Sequence, residues 1–410
     1  MESWSRILKS HLFVIIILFC LGLVIYSHTL SSSFHFDDHL SIVSNLKIRN
    51  IFNLKAIFNF WPTRFITYLS LALNYRLEHL NVFGYHLFNL LVHLASAALV
   101  WQLTLLTLST QALKDDRVSR KPLLIAFFTA LIFLTHPIQT QGVTYIIQRA
   151  TSLATLFYLA SLTLYAKARL TEGKKQTQPY YLASLTTAIL AMFTKEMTIT
   201  LPLMILLYEF CFLKGEKKLN LKYLIPLLAT FFIIPLTMLL TKSVNISKMH
   251  LNSELAPSIS PIHYFLTQLR VMVTYLRLLI LPINQNLDYD YPVFRSLLEL
   301  PVLLSTILIG ILIFTAIKVF QKHRIISFAI FWFFLTLLPE SSFIPIRDLV
   351  YEHRLYLPMF GFSLFLVYTI YYLTDTRNLR LAVALLSAIV IAYSVLTYSR
   401  NFVWKDEISL

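Results

Sequence analysis

Apolar runs of about 17–25 residues recur along this chain, and each is long enough to cross a hydrocarbon layer of about 30 Å as a helix. Inside that layer no water satisfies backbone N–H and C=O groups, so helices or a closed barrel are the only spanning structures. A barrel is built from alternating segments of about 10 residues, and these runs are too long and too uniformly apolar for that. With 57% hydrophobic residues and a mean hydropathy of +0.68, the chain lies outside the soluble globular class. It reads as an all-α polytopic membrane protein.

The charges set an expected topology. Arg6 and Lys9 precede the run Leu12–Tyr26 as in a signal peptide, but no small-x-small cleavage site follows, so the run is read as a retained anchor with a cytosolic N-terminus. The net charge of +15 does not point to nucleic acid, because Lys and Arg gather in short loops between apolar runs, as the positive-inside rule expects. About eleven membrane helices are predicted: the first run, then 83–108, 122–135, 150–166, 180–194, 198–213, 223–241, 297–319, 325–339, 356–374 and 380–398. Stretches 50–60 and 64–78, in an external loop 28–82, are too short or interrupted to span and are expected to lie in the interface. In the external segment 242–296, residues 264–282 carry Arg270 and Arg277, each costing about 3 kcal/mol at a bilayer centre, so this stretch is expected at the external face. The whole is one membrane domain, 1–398, with an external tail, 399–410. Cys20 and Cys211 fall near opposite faces, which argues against a disulfide or a zinc site. Asn245-Ile246-Ser247 fits a glycosylation sequon.

Several polar residues sit at the external ends of helices, where lipid would not tolerate them without a reason. Asp37 and Asp38 are adjacent carboxylates in the first external loop. They repel, so one titrates above the reference of about 3.9 and can act as a general base; equally, Asp38 could cap a short helix from Leu40 to Leu46. His86, Asn89 and His93 share one face of the second helix, either at the site or as a hydrogen-bonded ladder between helices. His at i and i+7 are too far apart to share a metal ion. Arg149, Lys195, Arg277 and Arg354 could clamp a phosphate, or each could be a snorkelling interfacial cation. His136, Glu196, Glu352 and His353 would shape the same cavity, joined by Asp288 and Asp290 in the Asp288-Tyr289-Asp290-Tyr291-Pro292 run, either a sugar platform or a polar turn. Convergence of these residues on one face predicts a single polar pocket.

Seven blocks, in order, carry a family resemblance: Phe36-Asp37-Asp38 with Asn45; Gly84 to His93; His136-Pro137 through Gln148-Arg149-Ala150; Lys195-Glu196; Tyr275 to Leu278 through Pro282; Asp288 to Pro292; and Glu352 to Pro358. Together they resemble the TMTC-type protein O-mannosyltransferases and their prokaryotic relatives over residues 34–360. The resemblance implies a GT-C fold and a polyprenyl-phosphate sugar donor, dolichyl-phosphate mannose in eukaryotes. It also implies inverting transfer to a hydroxyl of a protein or glycolipid acceptor at the non-cytosolic face, with Asp37 or Asp38 as base. No cofactor or metal is expected beyond the donor itself. Two departures are visible. Gln141 stands where members often carry Glu, and the tail Tyr398 to Glu407 resembles the lead-in to tetratricopeptide repeats, which marks the chain as a fragment or a form without them. A lipid A or cell-wall glycan transferase with the same donor is an alternative. A transporter or flippase of lipid-linked sugars is another, though it would carry charges along a path through both faces.

Overall fold

The computed structural model describes residues 11–216, 219, 221–241, 259–346, 348–374 and 378–407. Arg6, Lys9 and the Asn245 sequon lie outside them. All regular structure among the described residues is helical. The first helix, α1 (His11–Ile25), leads into the loop bearing the acidic pair. Two short helices follow where interfacial stretches are expected, α2 (Leu54–Phe60) and α3 (Phe65–Glu78). α4 (Val82–Leu108) starts at Asn81, whose side chain accepts a hydrogen bond from the Phe83 N–H (3.1 Å). Its 27 residues rise about 40 Å, enough to span a bilayer and emerge on both sides.

A break follows where the sequence places His136-Pro137. α5 (Pro122–Thr135) ends because Pro137 lacks a donor N–H, and the chain resumes at an angle of 52° through a turn into α6 (Thr140–Thr144). The freed backbone is re-satisfied locally: His136 Nδ1 accepts from the Ile138 N–H (3.1 Å), and its Nε2–H donates to the Leu279 carbonyl (3.0 Å). Gly142 has to be glycine, since a Cβ there would lie 2.4 Å from the Tyr356 ring. α7 (Arg149–Leu170) and α8 (Lys174–Met192) form a hairpin, joined at mid-height by reciprocal bonds from Ser161 Oγ to the Ser184 carbonyl (2.9 Å) and from Ser184 Oγ to the Ser161 carbonyl (2.8 Å). Small hydroxyl residues allow this close approach between apolar helices.

The remaining helices are α9 (Leu201–Tyr208), α10 (Leu221–Ala229), α11 (Ile233–Leu240), α12 (Pro261–Ile280), α13 (Leu300–Val319), α14 (Arg324–Leu337), α15 (Pro358–Thr374) and α16 (Leu379–Val403). By length and composition, five helical stretches among the described residues can cross a membrane: Val82–Leu108, Glu196–Leu213, Leu221–Leu240, Leu300–Val319 and Leu379–Val403. The bent pair at residue 136 makes a sixth, and His11–Ile25, Arg324–Leu337 and Pro358–Thr374 are shorter apolar helices. In the last three of the five, only 22% of the apolar stretch is buried, so their hydrophobic surface faces outward as lipid requires. The chain is an integral membrane protein. α12 is not among the five: it buries Tyr264, Gln268, Val271 and Tyr275 along one face and leaves Arg270 and Arg277 partly exposed. α16 runs five residues past the expected end at 398. It is held there by Asn401, whose amide donates to the Ile25 carbonyl (2.8 Å) and whose oxygen accepts from Thr144 (3.0 Å).

Candidate active site

The two acidic neighbours have opposite fates. Asp38 is fully buried, its Oδ2 accepting from the His35 N–H (3.1 Å) and its Oδ1 from the Ile147 N–H (2.8 Å). It does not bond the short helix that follows it, His39–Val43, so the expected cap there is replaced by one over the turn Ile146–Gln148, more than a hundred residues away. Burial pushes the Asp38 carboxyl up to about 7, against the pull of the backbone N–H groups of His35, Ile147 and Ile146; adjacent Asp37 adds to the rise. Asp37 is exposed, and no group among the described residues bonds its carboxylate. Only its N–H is engaged, donating to Tyr145 Oη (2.9 Å). The peptide between them and His35 is strained: Phe36 has φ +41° with its ring exposed, a conformation costing an L-residue about 1 kcal/mol or more unless its surroundings over-determine it.

Around Tyr68 and Tyr351, which also sense this carboxylate, lies a cluster of charges from four separate segments. Glu196 accepts from Trp61 Nε1 (3.1 Å), Thr63 Oγ1 (2.6 Å) and Arg64, whose Nη2 lies 2.9 Å from Oε2. Arg64 also stacks over the Trp61 ring at 4.3 Å. The segment is fixed in place because the Ile66 N–H donates to the Phe193 carbonyl (2.9 Å) and Thr67 Oγ1 to the Thr194 carbonyl (2.8 Å), just before Lys195. Lys195, buried, donates to Thr151 Oγ1 (2.8 Å) and pairs with Glu340 (3.3 Å). Arg354 donates to the carbonyls of Leu349 (3.0 Å) and Asp348 (2.8 Å) and lies within electrostatic reach of Lys195 and Glu340. Asp37 joins the group through shared neighbours: Tyr68 feels both Asp37 and Arg64, and Tyr351 feels both Asp37 and Arg354. Arg64, Lys195 and Arg354 thus lie among the carboxylates of Glu196, Glu340 and Asp348. A cleft of about 820 Å³, walled by Phe60, Trp61, Tyr68 and Leu40 and rimmed by Lys47 and Lys55, opens alongside.

The other expected site residues go elsewhere. Arg149 is fully buried and spent on structure: Nε donates to Asn89 Oδ1 (2.7 Å), Nη1 to Asn74 Oδ1 (2.6 Å) and the Ser70 carbonyl (3.2 Å), and Nη2 to the Tyr85 carbonyl (2.9 Å). A guanidinium enclosed this way has no fork to offer a phosphate, which corrects that expectation. His86, Asn89 and His93 form the ladder alternative. His86 Nε2 donates to the Ser32 carbonyl (3.0 Å), Asn89 to the Val143 and Ile146 carbonyls (3.1 and 3.3 Å), and His93 bonds Tyr356 (2.6 Å) and the Leu134 carbonyl (3.1 Å). His136 braces the helix break already described. Arg277, partly exposed, closes the end of α12 on the Ile283 carbonyl (2.8 Å). Asp288 and Asp290 are exposed, while Tyr289 between them donates to the buried Glu352 (2.6 Å). Glu352 also accepts from Gln285 (2.9 Å) and the Asn286 N–H (2.8 Å), and burial raises its pKa despite these bonds. His353 is bound to Gln141 Oε1 through its N–H (2.5 Å) and Nδ1 (3.0 Å); burial and the cations Lys195, Arg354 and Arg64 hold its pKa far below the usual value, so it is neutral. Gln141, the departure from Glu, therefore acts as an acceptor, a role that a carboxamide fills without adding charge.

Sequence reading missed Glu340 and Tyr145 and gave Arg64 no role. Glu340 carried the signal that marked Glu196, a lone carboxylate at the end of an apolar run. Tyr145 carried none, since its importance lies in the Asp37 N–H it meets.

No family model matches the chain. Among curated proteins, it is 25% identical over 413 residues to the protein O-mannosyl-transferase F38B6.6 of Caenorhabditis elegans, covering 97% of this chain and 56% of that protein. It is 26% identical to the protein O-mannosyl-transferase TMTC3 of Homo sapiens over 94% of this chain and 45% of that protein, and 32% identical to TMTC2 of Mus musculus over 50% of this chain and 24% of that protein. The chain spans about half the length of the first two. Among solved structures, the oligosaccharyltransferase of Archaeoglobus fulgidus in the apo form overlaps 96% of this chain and 56% of its own, with a TM-score of 0.49 and 11% identity. Over nearly all of its length, the chain is similar to TMTC-type protein O-mannosyl-transferases, the likeness its seven sequence blocks carry.

Proposed function

We propose that this chain is an inverting GT-C glycosyltransferase that moves mannose, or another hexose, from a polyprenyl-phosphate carrier to a Ser or Thr hydroxyl of a protein. The observation that carries the reading is Asp37: an exposed carboxylate, bonded by no described group, held by its backbone in a loop whose neighbours Tyr68 and Tyr351 also meet the charged cluster. The acceptor hydroxyl gives its proton to an Asp37 oxygen while its own oxygen attacks the anomeric carbon. The bond from that carbon to phosphate oxygen breaks with its electron pair, and polyprenyl phosphate leaves. Arg64 and Lys195, supported by Arg354, meet the charge that develops on the phosphate, in a setting that is already organised before the donor arrives. A phosphate monoester carries less charge than a pyrophosphate, so these side chains suffice and no metal is required in this scheme. Asp38 holds the loop rather than taking the proton. The positive-inside pattern supports a site and a C-terminus on the non-cytosolic side.

The test is transfer of labelled hexose by the purified chain in lipid, from polyprenyl-phosphate mannose to a Ser/Thr-rich peptide, with and without EDTA. Sugar on peptide, undiminished by EDTA, is the expected result. Sugar on a glycolipid alone would move the acceptor class, and donor crossing the bilayer without transfer would replace the enzyme with a flippase.

A further inference from the structure

We propose that Trp404, in the turn after α16, is a positioning residue for Asp37, and that residues 404–407 clamp the acidic loop from behind. The inference rests on the proposed role of Asp37 and adds a part of the chain that no sequence block includes. Trp404 is 1% exposed although it lies beyond the last helix, and its ring packs between two residues that flank the acidic pair: Tyr145 (centroids 5.7 Å apart) and His35 (5.8 Å). Each of these partners holds one side of the strained Phe36 peptide. Tyr145 Oη accepts the Asp37 N–H, and the His35 N–H is one of the two donors that fix Asp38. His35 is itself tied back, its Nε2–H donating to the Trp404 carbonyl (2.9 Å). The same turn makes two further contacts with the loop: the Ser33 N–H donates to the Lys405 carbonyl (3.3 Å), and His39 meets Glu407 (3.2 Å).

The geometry therefore closes a ring from Asp37 through Tyr145, Trp404 and His35 to Asp38. Within it the largely exposed Phe36 contributes little burial to offset its left-handed backbone. Without the indole, Tyr145 and His35 lose the surface that fixes them, and the Phe36 peptide can relax to an ordinary conformation. Relaxation rotates the Asp37 carboxylate away from its reacting position, and misplacement of a base by about 1 Å costs on the order of 100-fold in rate.

Two readouts on the intact chain in nanodiscs test this. For Trp404→Ala, amide exchange at Asp37 and Asp38 should accelerate about 10-fold or more while amides in α4 and α7 keep their rates. Turnover should fall about 10- to 100-fold with the donor KM within about 2-fold. Trp404→Phe, which keeps an aromatic surface and the backbone carbonyl, should recover most of both. Tyr145→Phe, which removes only the acceptor of the Asp37 N–H, should speed exchange at Asp37 alone and serves if Trp404→Ala does not fold. Unchanged loop exchange in both variants would overturn the clamp, and faster exchange with unchanged turnover would overturn the positioning role. If the wild-type chain transfers no sugar while its loop still loosens in Trp404→Ala, the clamp holds and the reaction assigned to Asp37 fails.

Discussion

Two groups of polar residues, one buried and one partly buried, lie close together in this molecule, and they differ in how their hydrogen-bonding capacity is used. In the ladder of Arg149, Asn89, His93 and His136, donors meet carbonyls or amide oxygens of neighbouring helices, and the cation has no carboxylate partner. In the cluster of Arg64, Glu196, Lys195 and Glu340, charges meet charges, two cations against two carboxylates, and the nearby Asp37 carboxylate is exposed and bonded by no described group. Both groups are expensive to bury. The ladder recovers that cost as fixed helix geometry, whereas in the proposed reaction the cluster would recover part of it on the donor phosphate. Polar residues in a membrane protein thus divide by what remains unbonded, more than by residue type or depth.

The comparison breaks most visibly if Asp37 and Arg149 behave alike. Asp37→Asn should lower turnover about 10²- to 10⁴-fold, the usual contribution of a general base, with the unfolding midpoint moved by no more than about 2 °C. Arg149→Leu should do the reverse. It leaves Asn89 Oδ1, Asn74 Oδ1 and two carbonyls without donors, a loss of about 3 kcal/mol or more, while the folded fraction retains most of its turnover. Denaturant unfolding in detergent alongside the transfer assay reads both. An Arg149→Leu chain that is stable but inactive would return this residue to the site.

These assignments also mark what could be read from sequence. The extent of α4, expected over 83–108 and found at Val82–Leu108, was legible because apolar length is a local property. The break at His136-Pro137 was legible because proline acts on its own helix. The division of labour between Asp37 and Asp38 was not. It depends on the Ile147 N–H, over a hundred residues away, and on a left-handed Phe36 that no local preference announces. Arg149 is a similar case: its acceptors come from α3 and α4, so a cation beside a loop looked like a ligand contact until its partners were known. At Asp288-Tyr289-Asp290 the residue types do not announce which side chain turns inward: Tyr289 bonds Glu352, while both aspartates are exposed.

Glu196 sharpens the comparison because it has features of both groups, with its oxygens saturated like the ladder and its position in the cluster. Glu196→Gln turns an amide N–H₂ toward the Arg64 guanidinium, donor against donor, and releases the segment 61–64. We predict a loss of about 1–2 kcal/mol in stability together with a roughly tenfold fall in turnover. A change in only one of the two would assign Glu196 to a single group.

The smallest effect concerns Asp38 and separates the two carboxylates by pH. Its pKa in the fold, about 7, lies above the value of about 3.9 expected when unfolded. Between these values the folded chain holds a proton that the unfolded chain has released, so this residue's contribution to stability is complete below about pH 4. It declines as the pH rises toward about 7 and is constant beyond. Asp38→Asn cannot titrate, and it sacrifices one of the two backbone bonds by turning an N–H₂ toward an N–H donor. The stability advantage of the wild type over this variant should therefore shrink from pH 4 to pH 7, measured as the difference in unfolding midpoints. An advantage that grows over that range would mean the N–H groups of His35 and Ile147 hold an ionised carboxylate, and that their pull outweighs burial. Asp38 would then carry a full negative charge beside Asp37, and the pair could no longer be described as one structural acid and one reactive base.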